Sequence, residues 1–438
     1  MKPAVLWLSV LVAGCTGTST TSTGPGPDAT PKVEEACVAV SAFAMPIREG
    51  KTPLPIPPDE TAVNAAMTLK TVVRDHARDP KNPWAVSHAL LAIGPELRLS
   101  NGEVAIDYLF SEYAETFEAC GETLVRFPRV RGDIRIEPHT DLILKALTEI
   151  GVPPEREVTV KGKKFTVGHL YRGSMYRAWV QKDGTVPFGP FEAKASNDLD
   201  AWNDTPWALQ GLAAWAADDL SWTARGDHKM DMDVFTSAAV SRIDAETQAL
   251  QIQQKGGQSF DKIAAAKAGG LVTMTCGGAH MLQGTGYALA RGFGNDADKT
   301  VYSNQMDLLF WRYQDELDVY TKMLETQPTY RTLIMMQRLK FLGHFVETTH
   351  KWVILGLLQP TPEQELIMKD ATVQLVATVA VLAQTGILAN LGKLTDPKIP
   401  QVYPGVITNE QLYLDYVGDS AHGYRGLDLA LGHGVLRY

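Results

Sequence analysis

Clustered cations are missing from this sequence. Its 41 lysines and arginines are outnumbered by 50 aspartates and glutamates, the net charge is −9, and basic pairs such as Lys163-Lys164 stand alone. Nucleic acid, whose phosphates demand a dense basic patch, is excluded as a partner. Strand signals are few, and no strict internal period runs through the chain. Several chemical signatures are also missing. There is no GxSxG elbow. The stretch around Gly292 follows no strand and lacks the Lys-Ser/Thr of a phosphate loop. ARGDHKMDMD, with Asp227, Asp231 and Asp233, lacks the glycine and distal glutamate of a calcium loop and reads as a solvated turn. Glu347-Thr-Thr-His350, with His344 three residues earlier, is a single ExxH. Carboxylate-bridged diiron sites need two, so this one reads as a partly exposed helix face. Cysteine is scarce, at four in 438 residues.

The N-terminus, MKPAVLWLSVLVAGC, carries Lys2, a short apolar core from Pro3 to Val12, and small residues before Cys15. The core is too short to span a bilayer as a stable helix and reads as an export signal over residues 1–14. Its ending, VAGC, resembles the lipobox of bacterial lipoproteins, with Val12 where leucine is usual and Leu11 one step earlier. The resemblance implies acylation of Cys15 and a membrane anchor. The absence of aspartate at Thr16 implies outer-membrane sorting, and so a place in the cell envelope. Residues 15–36 are rich in Thr, Ser, Gly and Pro and read as a flexible tether. Three cysteines remain for the body, an odd number in a compartment that permits disulfides. Cys37 and Cys120, both in acidic, helix-like contexts, are the expected pair, with Cys276 left over. The alternative is that all three are small buried hydrophobes.

Residues 37–438 read as one α-helical domain. Apolar residues recur at three- and four-residue steps in segment after segment, from NAAMTLKTVVRDHA to YRTLIMMQRLKFLGHFVETTHKWVILGLL. REVTVKGKKFTV reads as one small β-hairpin, and ALQIQQKGG is ambiguous. Ala371–Leu391 is apolar enough to cross a membrane, yet its glutamines and threonines favour a buried bundle helix.

Trp84-Ala-Val-Ser-His88, Thr166-Val-Gly-His169, Trp207-Ala-Leu-Gln210 and Cys276-Gly-Gly-Ala-His280 each open an apolar helix. The WNDTPWAL and CGGAH stretches, with His139 and His169 upstream, resemble bacterial helical-toroid proteins distantly similar to the terpene-cyclase and prenyltransferase toroids. That resemblance covers about half the chain and implies helical hairpins arranged as an α/α toroid around a central cavity. The cyclases' DxDD stretch and aromatic-rich repeats are absent. The prenyltransferase relatives hold zinc through Asp, Cys and His, which brings zinc in as a cofactor without supplying the ligand set.

Two stretches carry the candidate chemistry. In TCGGAH, Cys276 and His280 form a metal-ligand or nucleophile–base pair at a helix start, or Gly277-Gly278 lets two helices touch. In WNDTPWAL, Asp204 is a helix cap before Pro206, or a general acid/base beside Trp202 and Trp207, whose rings suit sugar faces. Asp141, Asp198 and Asp200 are candidates for a second carboxylate. His139 and His169 are expected at the same cavity. Two functions follow. One is a lipid-anchored toroid that binds a glycan, a lipid or a partner protein. The other is an exported hydrolase or lyase using Asp204 and His280, which requires these side chains to converge on one site with shifted pKa values.

Overall fold

The computed structural model describes residues 48–54, 59–137, 139–180, 199–261, 276 and 278–438, with 199–203 described by backbone alone. The signal, the tether, Cys15, Cys37, Asp198 and Gly277, with the side chains of Asp200 and Trp202, lie outside the described residues.

The fold is all-α. Among the described residues there are thirteen α-helices: α1 (Glu60–His76), α2 (Pro83–Ile93), α3 (Ala105–Tyr113), α4 (Leu142–Glu149), α5 (Val167–Arg177), α6 (Leu199–Trp215), α7 (Met232–Lys255), α8 (Ala279–Ala290), α9 (Asp296–Trp311), α10 (Tyr313–Thr326), α11 (Arg331–Ile354), α12 (Pro362–Gln384) and α13 (Asn409–Ala430). Among the described residues strands occur only as two-stranded antiparallel ribbons. The hairpin expected from REVTVKGKKFTV is there, pairing Glu157–Val160 with Lys163–Thr166. ALQIQQKGG mostly falls within α7, where its apolar residues continue a helical pattern.

Six helices pack in a cycle. α2 packs on α4, α4 on α6, α6 on α8, α8 on α11, α11 on α13, and α13 returns to α2. Helices α1, α3, α5, α7 and α12 pack on members of this cycle. Close approach within it depends on glycine. A Cβ on Gly284 of α8 would lie 2.3 Å from the carbonyl oxygen of Pro206 on α6. Gly343 of α11 faces Gly423 of α13, and a Cβ on Gly343 would lie 2.9 Å from the Gly423 nitrogen. The missing side chains let these backbones touch.

Three local expectations are corrected. Cys120 is not on a helix. α3 stops at Tyr113, and Glu115–Ala119 pairs with Glu122–Arg126 around a Cys120-Gly121 turn. Both turn residues have positive φ, 58° and 73°, as a type I′ hairpin requires. Asp204 is not a helix cap, because α6 begins at Leu199 and carries Pro206 inside it. The apolar segment near the C-terminus is a half-buried helix rather than a fully buried one. In α12, Met368, Ala371, Leu375, Val379 and Leu382 form a buried stripe, while Leu366 and Val373 are exposed. By length and composition α12 is the one candidate membrane span among the described residues.

Candidate functional site

Each helix of the cycle places polar side chains into one buried cluster. α2 supplies His88; the segment before α4 supplies His139, and α4 itself Lys145 and Glu149. Asp204, Trp207 and Gln210 come from α6, and His280 and Gln283 from α8. α11 contributes His344, Glu347 and Lys351, and α13 contributes His422 and Arg425. All but Arg425 are buried. Five of the chain's ten histidines are in this cluster. His280 is in the first turn of α8, entered through Gly278 at φ 77°, a left-handed conformation that suits glycine. On α11 and α13 the cluster residues recur at helical spacing, so each helix turns one polar stripe inward.

At one end lies a histidine–aspartate pair. His139 Nδ1 donates to Asp204 Oδ1 at 3.1 Å, and Asp204 Oδ2 accepts from Thr140 Oγ1 at 2.9 Å and Arg129 Nη1 at 3.1 Å. Burial pushes the Asp204 carboxyl up, but Arg129, His139 and Thr140 outweigh it and hold it below its ordinary value. Burial likewise lowers His139, only partly offset by Asp204. The Arg129 side chain is 32% exposed, so this end of the cluster lies nearest solvent. His139 stacks on Trp207 with ring centres 5.1 Å apart and meets the edge of His280 at 5.4 Å.

In the middle are three imidazoles. His280 and His344 face each other, Nε2 to Nε2, at 2.9 Å. Ring centres are 4.0 Å apart for His344 and His422 and 5.5 Å for His280 and His422. One nitrogen from each of the three lies within 4.8 Å of the others, a grouping able to hold a metal ion. Burial, then the neighbouring histidines, keep His280 and His344 well below the usual imidazole range. His88, bonded through Nδ1 to the Trp84 carbonyl at 3.1 Å, is pushed down to about 3 by burial.

At the other end two carboxylates meet three basic side chains. Glu347 accepts from His422 Nδ1, Lys351 Nζ and Arg425 Nε, each at 2.7 Å. Glu149 meets Lys145 Nζ at 2.6 Å, Gln210 Nε2 at 2.9 Å, Lys351 Nζ at 3.0 Å, and Arg425 as well. Burial works to raise Glu347, but Lys351 and His422 overcome it and hold the carboxylate well below its ordinary range. Lys145, with Nζ 5.3 Å from the Trp207 ring, is driven well below its ordinary value by burial and by Lys351 and Arg425.

Asp204, His139, Trp207 and His280 therefore come together as the sequence suggests. His169 does not. It is half-buried at the start of α5, where its Nδ1 lies 3.1 Å from the Thr166 amide in a capping box. Asp141 is bonded instead to Ser174 and Arg177. Cys276 is a buried thiol, and His280's metal-grade companions are His344 and His422 in its place. Cys120 is disulfide-bonded, and Cys37 lies outside the described residues. Trp207 offers no open face for a sugar, since His139, His280 and Lys145 surround it. The ExxH face is fully buried, with Glu347 at 0% exposure and His350 at 2%. Lys145, Glu149, His422 and Arg425 were not legible as site residues. Their one signal is a charged or imidazole side chain recurring every three or four residues inside an otherwise apolar helix.

Comparison with protein-family models, with curated proteins and with solved structures finds no match to this chain.

Proposed function

We propose that this protein is an envelope lipoprotein, anchored through Cys15, whose body is an α/α toroid with a hydrolase or lyase centre inside the ring of α2, α4, α6, α8, α11 and α13. The observation that carries this reading is the convergence of ionisable side chains from all six helices on one buried cluster. Scattered caps and core contacts, the arrangement expected of a non-enzymatic binding module, would not share a centre. The His139–Asp204 pair supplies general-base chemistry. The carboxylate orients the ring through Nδ1, keeps a neutral tautomer with its basic nitrogen at Nε2, and stabilises the imidazolium that forms when a proton is taken. The burial of the cluster away from water strengthens every such interaction.

The test is a panel of chromogenic esters, phosphoesters and glycosides offered to the full chain, to Asp204→Asn and to His139→Gln, with folding checked by circular dichroism. A hydrolysed substrate should lose roughly 10²–10⁴-fold in rate in each variant. Equal turnover by folded variants would remove the pair from the reaction. The anchor is tested by the mass of the mature N-terminal peptide and by detergent-phase partition, which Cys15→Ser should abolish.

A further inference from the structure

We propose that His280, His344 and His422 bind one zinc ion, His280 and His344 through Nε2 and His422 through the ring nitrogen that Glu347 leaves over. Three ring helices, α8, α11 and α13, each supply one imidazole, and all three are at most 6% exposed.

Hydrogen bonding fixes the lone pairs. A backbone carbonyl only accepts, so His344 Nδ1, 2.8 Å from the Lys340 oxygen, carries the proton and leaves Nε2 bare. The Glu347 carboxylate does the same to His422 by accepting from its Nδ1. Two of the three rings thus have their outer nitrogen held by a fixed oxygen, the arrangement that orients metal-bound imidazoles and raises their basicity. Glu347 is itself held by Lys351 and Arg425, which keeps it in this supporting position.

The third ring is incompletely satisfied. His280 Nε2 meets the bare Nε2 of His344, and its Nδ1 has no hydrogen-bond partner although the residue is buried. No hydrogen bond at Nδ1 therefore fixes the tautomer of this ring. With its proton on Nδ1, His280 presents a bare Nε2 to the bare Nε2 of His344, and a divalent cation can bridge the two lone pairs. The spacing suits it. Zinc–nitrogen bonds of about 2.0–2.1 Å at tetrahedral angles put ligand nitrogens about 3.3 Å apart; the Nε2 atoms of His280 and His344 are 2.9 Å apart, and one nitrogen from each of the three rings lies within 4.8 Å of the others.

Three imidazoles leave a fourth position for water, the mark of a catalytic rather than a structural zinc site. His139 and Asp204 border that centre through the His280 ring. The binding claim stands apart from the hydrolase reading, and only the role of that fourth position rests on it.

The experiment is zinc stoichiometry and competition with a chromogenic chelator on the full chain, stripped with EDTA and reloaded, with the visible spectrum of the cobalt(II) form as a second readout. One equivalent per chain and a four-coordinate cobalt spectrum are expected. His280→Gln, His344→Gln and His422→Gln should each weaken binding more than 100-fold, and Glu347→Gln should weaken it 10–100-fold. His350→Gln, a buried histidine bonded to Thr52 instead, and Cys276→Ser should retain full binding. No stoichiometric zinc in folded wild-type protein would overturn the proposal, as would undiminished zinc in a folded His344→Gln. Should the histidine variants not fold, the wild-type stoichiometry and cobalt spectrum decide alone. Bound zinc together with unchanged hydrolysis by His139→Gln would sustain the metal site and refute the His139–Asp204 reading.

Discussion

Acid should destabilise the metal-free protein from about pH 6.5 downward, above the pH at which ordinary carboxylates protonate. Burial lowers the pKa of His88 to about 3 and of His350 to about 4, and it lowers His139, His280 and His344 as well. The unfolded chain binds a proton at each below about pH 6.5, whereas the folded chain does not until its own lower pKa. Stability from these groups is therefore fully present above pH 6.5 and is lost as pH falls towards the folded values. Glu137 opposes them. Burial and Asp141 raise it well above its ordinary value, so the fold holds a proton there that the unfolded chain releases. His88 and His350 together bring an uptake of about two protons on unfolding, to which the other lowered histidines add and from which Glu137, Asp415 and Asp428, raised by burial, subtract. At roughly 1.4 kcal/mol per proton per pH unit, these two histidines should lower stability by about 3 kcal/mol per unit below pH 6.5. By pH 5 their share of the loss is about 4 kcal/mol, a large part of the ~5–15 kcal/mol that holds a typical fold together. Urea midpoints by circular dichroism at half-unit steps from pH 7.5 to 5, on EDTA-treated protein, measure this slope. His350→Gln should reduce it by about one proton. A flat profile over that range would refute the picture of neutral, buried histidines.

Glu347→Gln should destabilise the metal-free fold by about 3–5 kcal/mol, read from urea unfolding at pH 7.5, because Lys351 and Arg425 keep their buried charge and lose a carboxylate at 2.7 Å. Gly284→Ala should cost about 1–3 kcal/mol or prevent folding, since the new methyl meets the Pro206 carbonyl at 2.3 Å; an unaltered melting temperature would show that α6 and α8 do not touch there. Lys145→Met should be tolerated better than Glu149→Met in the same unfolding assay, because Lys145 is already disfavoured as an ammonium, whereas removing Glu149 strips partners from Lys351 and Arg425.

Much of the fold was legible because apolar periodicity is a local signal. The segment around α11 announces itself by its leucines, methionines and phenylalanines alone. The hairpin at Cys120-Gly121 was not, because Glu115–Arg126 alternates polar and apolar residues too briefly to contrast with the helix before it. Asp204 was found for a mixed reason. Its neighbour Pro206 suggested a cap, but the helix starts earlier, and the carboxylate is instead claimed by His139 and Thr140, more than sixty residues away in sequence. The three-imidazole group was hidden for the same reason. His280, His344 and His422 are separated by 64 and 78 residues, and only closure of the helix cycle makes them neighbours. His280 drew attention through its glycines. His344 and Glu347 read from the sequence as a partly exposed face, because a lone ExxH carries no information about which side of its helix is covered.

The burial of so many ionisable groups is itself informative. Charged networks in protein interiors contribute little net stability, and well-packed apolar side chains of similar volume serve as well or better. The ring has ample apolar surface to close without them, since α11 and α13 bury leucine, phenylalanine, valine and tyrosine on either side of their polar stripes. The polar stripes also leave His280 Nδ1 unpaired, a state that an apolar centre would avoid. Five histidines, three carboxylates and three basic side chains stand where leucines would pack, and the proposed centre accounts for them: Glu347, the Lys340 carbonyl and Asp204 each take one nitrogen of an imidazole and leave the other for that chemistry.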